Sequence, residues 1–213
     1  MPTAYISSSQ VGAIILAAGK STRMGKAKQL LRLGESTVLG QTIENVRRST
    51  VADEVVLVLG ASAEAIRSQL PAGLVEGLKL VVNPAYEQGM ASSLRAGLSA
   101  LDPQIGAAFI VLADQPFVRP ETFAQLADHY RRLRVQIVIP SYHGVRGNPV
   151  LLDRSVFAEV MALEGDIGCR AIFGSHNEGS AKVEVEDEGI LLDIDNQEDY
   201  ERLREGSPPH TGE

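Results

Sequence analysis

Cysteine occurs once in the 213 residues, at Cys169, so no intrachain disulfide can form and a cysteine-built zinc site has no donors. That scarcity suits a reducing compartment, and the cytoplasm is the expected location. No apolar run approaches the ~18 residues that a membrane span requires. The opening MPTAYISSSQ lacks the basic start and apolar core of a secretory signal. Positive charge is also scarce: 20 Lys and Arg stand against 27 Asp and Glu, for a net −7. Such a chain offers no face-wide basic surface, which argues against a nucleic-acid partner. Its four histidines, His129, His143, His176 and His210, are scattered over expected helix, loop and tail, so no Ser-His-Asp set is suggested.

What is present alternates. Short, β-branched apolar runs at Ala13–Ala18, Val55–Leu59, Leu78–Val82, Ala107–Leu112 and Gln136–Ile139 read as strands buried on both faces. Helix-spaced segments at 37–49, 62–70, 89–101 and 120–134 lie between them, the last beginning at Pro120. In the segment at 37–49, Val38, Leu39, Thr42, Ile43 and Val46 share one side. Later come a short strand near Pro149–Leu152, helices around 153–162 and 168–174, two strand-like runs near 182–193 and a helix near 197–205. The reading is an α/β fold, a mostly parallel twisted sheet with helices on both faces, as one domain over 11–205. Residues 1–10 and the tail 206–213, small and polar, read as disordered ends. In such sheets ligands bind at the carboxyl ends of the strands.

The first strand leads into an unusual loop. In VGAIILAAGKSTRMGKAKQLL (11–31), Lys20, Arg23, Lys26 and Lys28, followed by Arg32, precede any acid. The loop is not a Walker A motif, since Met24 stands where the second glycine belongs and Ala27 follows Lys26. Nor does Gly19-Lys20-Ser21 begin a G-x-G-x-x-G fingerprint. Yet Ala17, Ala18 and Gly19 leave the strand end nearly bare, so a base or ribose can approach the backbone. Arg23 can grip phosphate oxygens through its planar fork and Lys28 as a point charge. A solvated basic loop is the alternative, but it leaves the small-residue run unexplained.

A second strand end points the same way. FIVLADQPFV (109–118) places Asp114 directly after an apolar run, where a bare carboxylate is costly to bury unless neutralised. Magnesium, which takes one or two carboxylates plus phosphate and water, would do so; a turn or helix-cap role is the alternative.

These stretches together resemble the MobA-like nucleotidyltransferases, and within them the MocA branch of molybdenum cofactor cytidylyltransferases. The first signature, LAAGKSTRMGKAKQLL, looks like L-A-A-G-x-S-x-R-M-G-x-x-K-x-L-L. The similarity continues in NPAYEQGMASSLRAGL (83–98), LADQPF (112–117), RGNPVLL (146–152), GDIGCR (165–170) and DIDNQEDY (193–200). It implies a three-layer fold of the nucleotide-diphospho-sugar transferase type. It also implies attack of an acceptor phosphate on the α-phosphate of Mg2+-bound nucleoside triphosphate, with diphosphate released. By match, Leu16, Ala17, Ala18 and Gly19 would lie against the nucleoside, Arg23 and Lys28 on the triphosphate, and Asp114 on magnesium. Asn83 and Ser93 would stand near the nucleoside, with Ser92 the alternative across the doubled serine. A-A-G rather than A-G-G leans to CTP. The implied acceptor is molybdopterin or its molybdenum-bearing form, with a sugar or alcohol phosphate as the alternative, and a molybdoenzyme is the implied protein partner. A protein that binds the cofactor without transferring anything is the reading from another class.

Several positions stay open at this level. Asp166 either caps the helix that holds Arg170 or helps bind metal or acceptor. Asp193 and Asp195 alternate along an extended stretch and so face one side; either could hold a second magnesium, Asp195 being the better match. The usual T-P after that aspartate is Asn196-Gln197 here. The loop SYHGVRGNP (141–149), with His143 and Asn148, either meets the acceptor or forms a surface turn. Cys169 reads as structural.

Overall fold

The computed structural model describes residues 10–19 and 27–204; the expected loose ends 1–10 and 206–213, apart from Gln10, and the cations Lys20, Arg23 and Lys26, lie outside the described residues. Its strands are β1 (Val11–Ala17), β2 (Arg32–Leu33), β3 (Ser36–Thr37), β4 (Glu54–Leu59), β5 (Leu78–Val82), β6 (Ala107–Leu112), β7 (Ile137–Tyr142), β8 (Val145–Arg146), β9 (Val150–Asp153) and β10 (Ser180–Glu184). The helices are α1 (Val38–Arg48), α2 (Ala63–Gln69), α3 (Ala72–Val75), α4 (Met90–Ala100), α5 (Pro120–Leu133), α6 (Phe157–Met161) and α7 (Gln197–Arg204).

The main sheet runs β10-β7-β9-β6-β1-β4-β5, with β8 paired to β7 and β2–β3 forming a separate hairpin. All neighbours on this path are parallel except β9, which runs antiparallel to both β6 and β7. Period-two alternation along β1 divides the core. Val11, Ala13, Ile15 and Ala17 point to one side, where they meet Leu39, Ile43 and Val46 of α1, Ile66 of α2, and Phe123 and Leu126 of α5. Ile14 points to the other, against Leu94 and Leu98 of α4, Phe157 and Val160 of α6, and Ile172. The helices thus cover both faces, as the alternation implied. Thr37 caps α1, its hydroxyl accepting from Gly40 N at 3.0 Å.

Four expectations change. The run Leu78–Val82 is not buried on both faces: β5 is an edge strand with Val82 47% exposed. The second strand-like run near 182–193 is a 3₁₀ turn at Glu188–Leu191, its start capped by Asp187 Oδ1 accepting from Gly189 N at 3.0 Å. The segment 153–162 opens as a 3₁₀ turn at Arg154–Val156 before α6. The helix around 168–174 is a 3₁₀ stretch at Cys169–His176.

Strand order places the functional edge. From β1 the chain crosses to β4 on one side and later returns to β6 on the other, so the order reverses at β1, and a crevice opens beyond its carboxyl end. The registers Ala17↔Leu59 and Leu16↔Leu112 bring the three strand ends level.

Candidate active site

Beyond those ends lies a cleft of about 680 Å³. Leu16, Ala18 and Gly19 from β1 and its exit form one wall, and Leu112, Ala113 and Asp114 from β6 another. Tyr86 to Met90 and Ser93, from the turn before α4 and the helix itself, make a third side. Lys28, Gln29, Asp166 and Asp195 complete it.

Its centre is an ion cluster. Lys28 Nζ donates to Asp114 Oδ2 at 2.6 Å and to Asp195 Oδ1 at 3.1 Å. Backbone pairing sets this up: Ile194 N donates to Asp114 O at 3.0 Å, which lays the chain before α7 along the exit of β6. Burial is the largest influence on the Lys28 amine and lowers its pKa, but Asp114 and Asp195 together outweigh it, and the net effect raises it above its ordinary value. Asp193, beside them, has its pKa pushed up to about 6, first by burial and next by the charge of Asp114. Among the described residues lining the cleft, Lys28 is the one cation facing the acids Glu87, Asp114, Asp166 and Asp195. A polyphosphate entering this acidic cleft needs further positive charge there.

The donor set fits a hard divalent ion. Two carboxylate oxygens converge on a single point, now held by an ammonium, and oxygen-only donors with room for phosphate and water suit magnesium or manganese. No group of three or more acidic, histidine or cysteine side chains stands ready as a metal cage among the described residues.

The carboxylate-bearing loop is pinned from behind. Asn45 Nδ2 donates to Pro116 O at 2.9 Å and Thr42 Oγ1 to Ala113 O at 3.3 Å, so α1 holds the backbone on both sides of Asp114. Gln29 Nε2 reaches Ala17 O at 3.4 Å from the opposite wall.

Of the residues singled out from sequence, Leu16, Ala18, Gly19, Lys28, Ser93, Asp114, Asp166 and Asp195 meet at the cleft. Asn83 lies buried behind its wall and donates to Ser92 Oγ at 2.8 Å and Ser93 Oγ at 3.1 Å. Ser92 Oγ in turn donates to Gly89 O at 2.8 Å, so this serine ties down the start of α4. Asp166 does not cap the segment carrying Arg170: its Oδ1 accepts from Met90 N at 3.1 Å, the first residue of α4. Gly89, at φ +94°, lies so close beneath the 165–166 backbone that any side chain there would collide with it. His143 sits at φ +47° in the β7–β8 turn, its ring against Tyr142, and Asn148 N donates to Ile190 O at 3.1 Å; neither lines the cleft. Cys169 is buried, its thiol pushed up to about 12 by burial and so unreactive. Sequence reading missed Gln29, Tyr86 and Met90 as walls. Tyr86 and Met90 flank the glycine of a motif already quoted, which was the available signal.

The chain is similar to known proteins over most of its length. The chain is 25% identical over 199 residues, 92% of its length and 97% of the relative's, to the molybdenum cofactor cytidylyltransferase of Escherichia coli K12. It is 27% identical over 201 residues, 91% of its length and 96% of the relative's, to the nicotine blue oxidoreductase of Paenarthrobacter nicotinovorans. Rv0371c of Mycobacterium tuberculosis H37Rv, solved in complex with manganese, superposes with a TM-score of 0.77 at 32% identity over 92% of this chain and 98% of that one. The MobA-like NTP transferase domain matches residues 13–180. With that domain spanning the sheet and most of the cleft, the chain belongs to the MobA-like nucleotidyltransferase family.

Proposed function

We propose that this nucleotidyltransferase moves CMP from CTP onto a phosphorylated acceptor, molybdopterin or its molybdenum-bearing form, and releases diphosphate. The observation that carries the reading is Lys28 held between Asp114 and Asp195 where the order of strands reverses. The E. coli relative's name favours CTP and this acceptor over a sugar or alcohol phosphate.

The chain's own groups account for the chemistry. Ala18 and Gly19 present a side-chain-poor floor on which ribose and base lie against the backbone, with Ser93 facing them from α4. An acceptor phosphate oxygen attacks the α-phosphorus, and the bond from that phosphorus to the bridging oxygen of the diphosphate breaks. Negative charge moves onto the leaving diphosphate, where Lys28 and Arg23 neutralise it. Positioning and charge do the work, and no protein nucleophile is needed. Magnesium, held by Asp114 and Asp195, would add charge neutralisation at the phosphate oxygens. A molybdoenzyme would then receive the product.

The test is calorimetric titration with CTP, GTP and ATP, each with magnesium, followed by assay of diphosphate release with molybdopterin. Selective CTP binding and acceptor-dependent diphosphate support the reading; preference for GTP or ATP removes the cytidine assignment. A second reading, redox chemistry, has one observation in its favour, the relative named nicotine blue oxidoreductase. The first loop carries no dinucleotide fingerprint, which counts against it.

A further inference from the structure

The ammonium of Lys28 stands at the point where the two carboxylates converge. It is 2.6 Å from Asp114 Oδ2 and 3.1 Å from Asp195 Oδ1. A magnesium ion held by the same two carboxylates would compete with that ammonium for their oxygens. Two cations cannot share this position. The ammonium is not a loosely solvated bystander, since the Lys28 side chain is only 15% exposed, against 52% for Asp195. Its four-carbon stem nevertheless gives it reach, and lysine, unlike arginine, is not held in a planar fork. The place it can move to is the cleft that Lys28 itself lines.

We infer that Lys28 is an exchangeable internal counter-ion: it occupies the divalent-metal position in the resting protein and gives it up when a polyphosphate enters the cleft. This rests on the reading of Asp114 and Asp195 as the metal's holders. In the resting state the single charge of Lys28 offsets one of the two carboxylate charges and bridges the pair, so the two are held together without a metal. It also competes with the metal, which therefore binds the free protein weakly. An entering triphosphate offers Lys28 a stronger anion, draws it off the aspartates and leaves them to the metal. The two ligands are then positively coupled. Because binding free energies are reciprocal, metal must tighten nucleotide by the same factor that nucleotide tightens metal.

The experiment is a Mn2+ titration of the full chain without nucleotide, read from the paramagnetic resonance signal of the free ion. Lys28→Met should bind Mn2+ about tenfold or more tightly than the wild type, the scale on which one adjacent charge shifts a carboxylate equilibrium. Lys28→Arg, which keeps the charge, should show no such gain. Equal or weaker binding by a folded Lys28→Met protein overturns the inference. Should that variant not fold, the wild type still decides the matter. Labelling with an amine-reactive ester, read by mass spectrometry, should find Lys28 protected without metal and modified once Mn2+ saturates the site. Labelling of Lys28 that does not change with Mn2+ overturns the inference.

Neither measurement uses a nucleotide. A protein that passes both and binds no CTP loses the cytidylyl assignment and keeps the exchange. An Asp195→Asn protein with wild-type Mn2+ affinity removes the metal reading on which the exchange rests.

Discussion

Gly89 joins the start of α4 to the segment 163–168, and replacing it measures how much the cleft depends on that seam. Its backbone, at φ +94° and ψ −178°, lies in a region open essentially to glycine alone. Holding alanine there costs about 1–3 kcal/mol. The added Cβ would also stand 2.5 Å from both Asp166 N and Gly165 O, backbone atoms that cannot rotate away. Forcing them apart adds about 1–3 kcal/mol. Gly89→Ala should therefore cost roughly 2–6 kcal/mol, a drop of roughly 4–24 °C in melting temperature for a chain of this size. Gly165→Ala is the matched control: φ is +71°, but nothing lies within 4 Å of its Cβ position. Strain alone should cost about 1 kcal/mol, or roughly 2–4 °C. Differential scanning calorimetry of the two variants checks this. Equal melting losses would refute the reasoning, because they would show that the close approach of the 165–166 backbone carries no energy. CTP affinity should also fall in Gly89→Ala, since the start of α4, which carries Ser93 on the cleft wall, would be displaced.

Asp114→Asn should cut metal-dependent turnover by about a hundredfold or more while changing the melting temperature little; unchanged turnover would take Asp114 out of the metal site. Lys28→Ala should weaken CTP binding about tenfold or more by calorimetry, and a collapse of the fold instead would make the residue structural. Asn45→Ala should weaken Mn2+ binding in a folded protein, because the Pro116 carbonyl loses its donor and the Asp114 loop is freed on one side; intact affinity would show that the Asn45 bond is not needed to fix the loop. Glu159 provides the pH test. Its carboxyl is held below the ordinary 4.5, chiefly by the hydrogen bond with His176. A lowered folded pKa gives stability that is present above the unfolded value and lost as the pH falls through the folded one. Glu159→Gln should thus melt below the wild type at pH 6, with the gap closing below about pH 4.5.

Local signals carried much of this architecture. Buried apolar runs announced β1, β4 and β6, and the single acid at the end of FIVLAD marked Asp114 as a strand-end residue of the cleft. The small residues at Ala18 and Gly19 and the position of Lys28 were legible because their chemistry is written in adjacent residues. Non-local pairing was not. LKLVV has the composition of a buried strand, yet β5 ends up at the sheet edge, because the identity of a strand's neighbours is not encoded in its own five residues. Nothing in VLLD shows that β9 inserts antiparallel between β6 and β7. Asp166 has a plausible local helix to cap, but its partner is 76 positions away, at Met90. The buried polar side chains Thr42, Asn45 and Gln29 looked like ordinary helix or loop residues until the backbone carbonyls they hold were brought alongside.

The bond between Lys28 and Asp195 spans 167 positions of the chain. A ribosome adding about 5–20 residues per second delivers the second of these partners roughly 8–33 s after the first. For that interval the newly made protein has β1 and Lys28 but lacks Asp195. Translation therefore sets an order of maturation: every strand of the main sheet is made before the residue that finishes the ion cluster. A product cut off just after β10 retains the strands of the main sheet and lacks the Asp195 arm of the cluster.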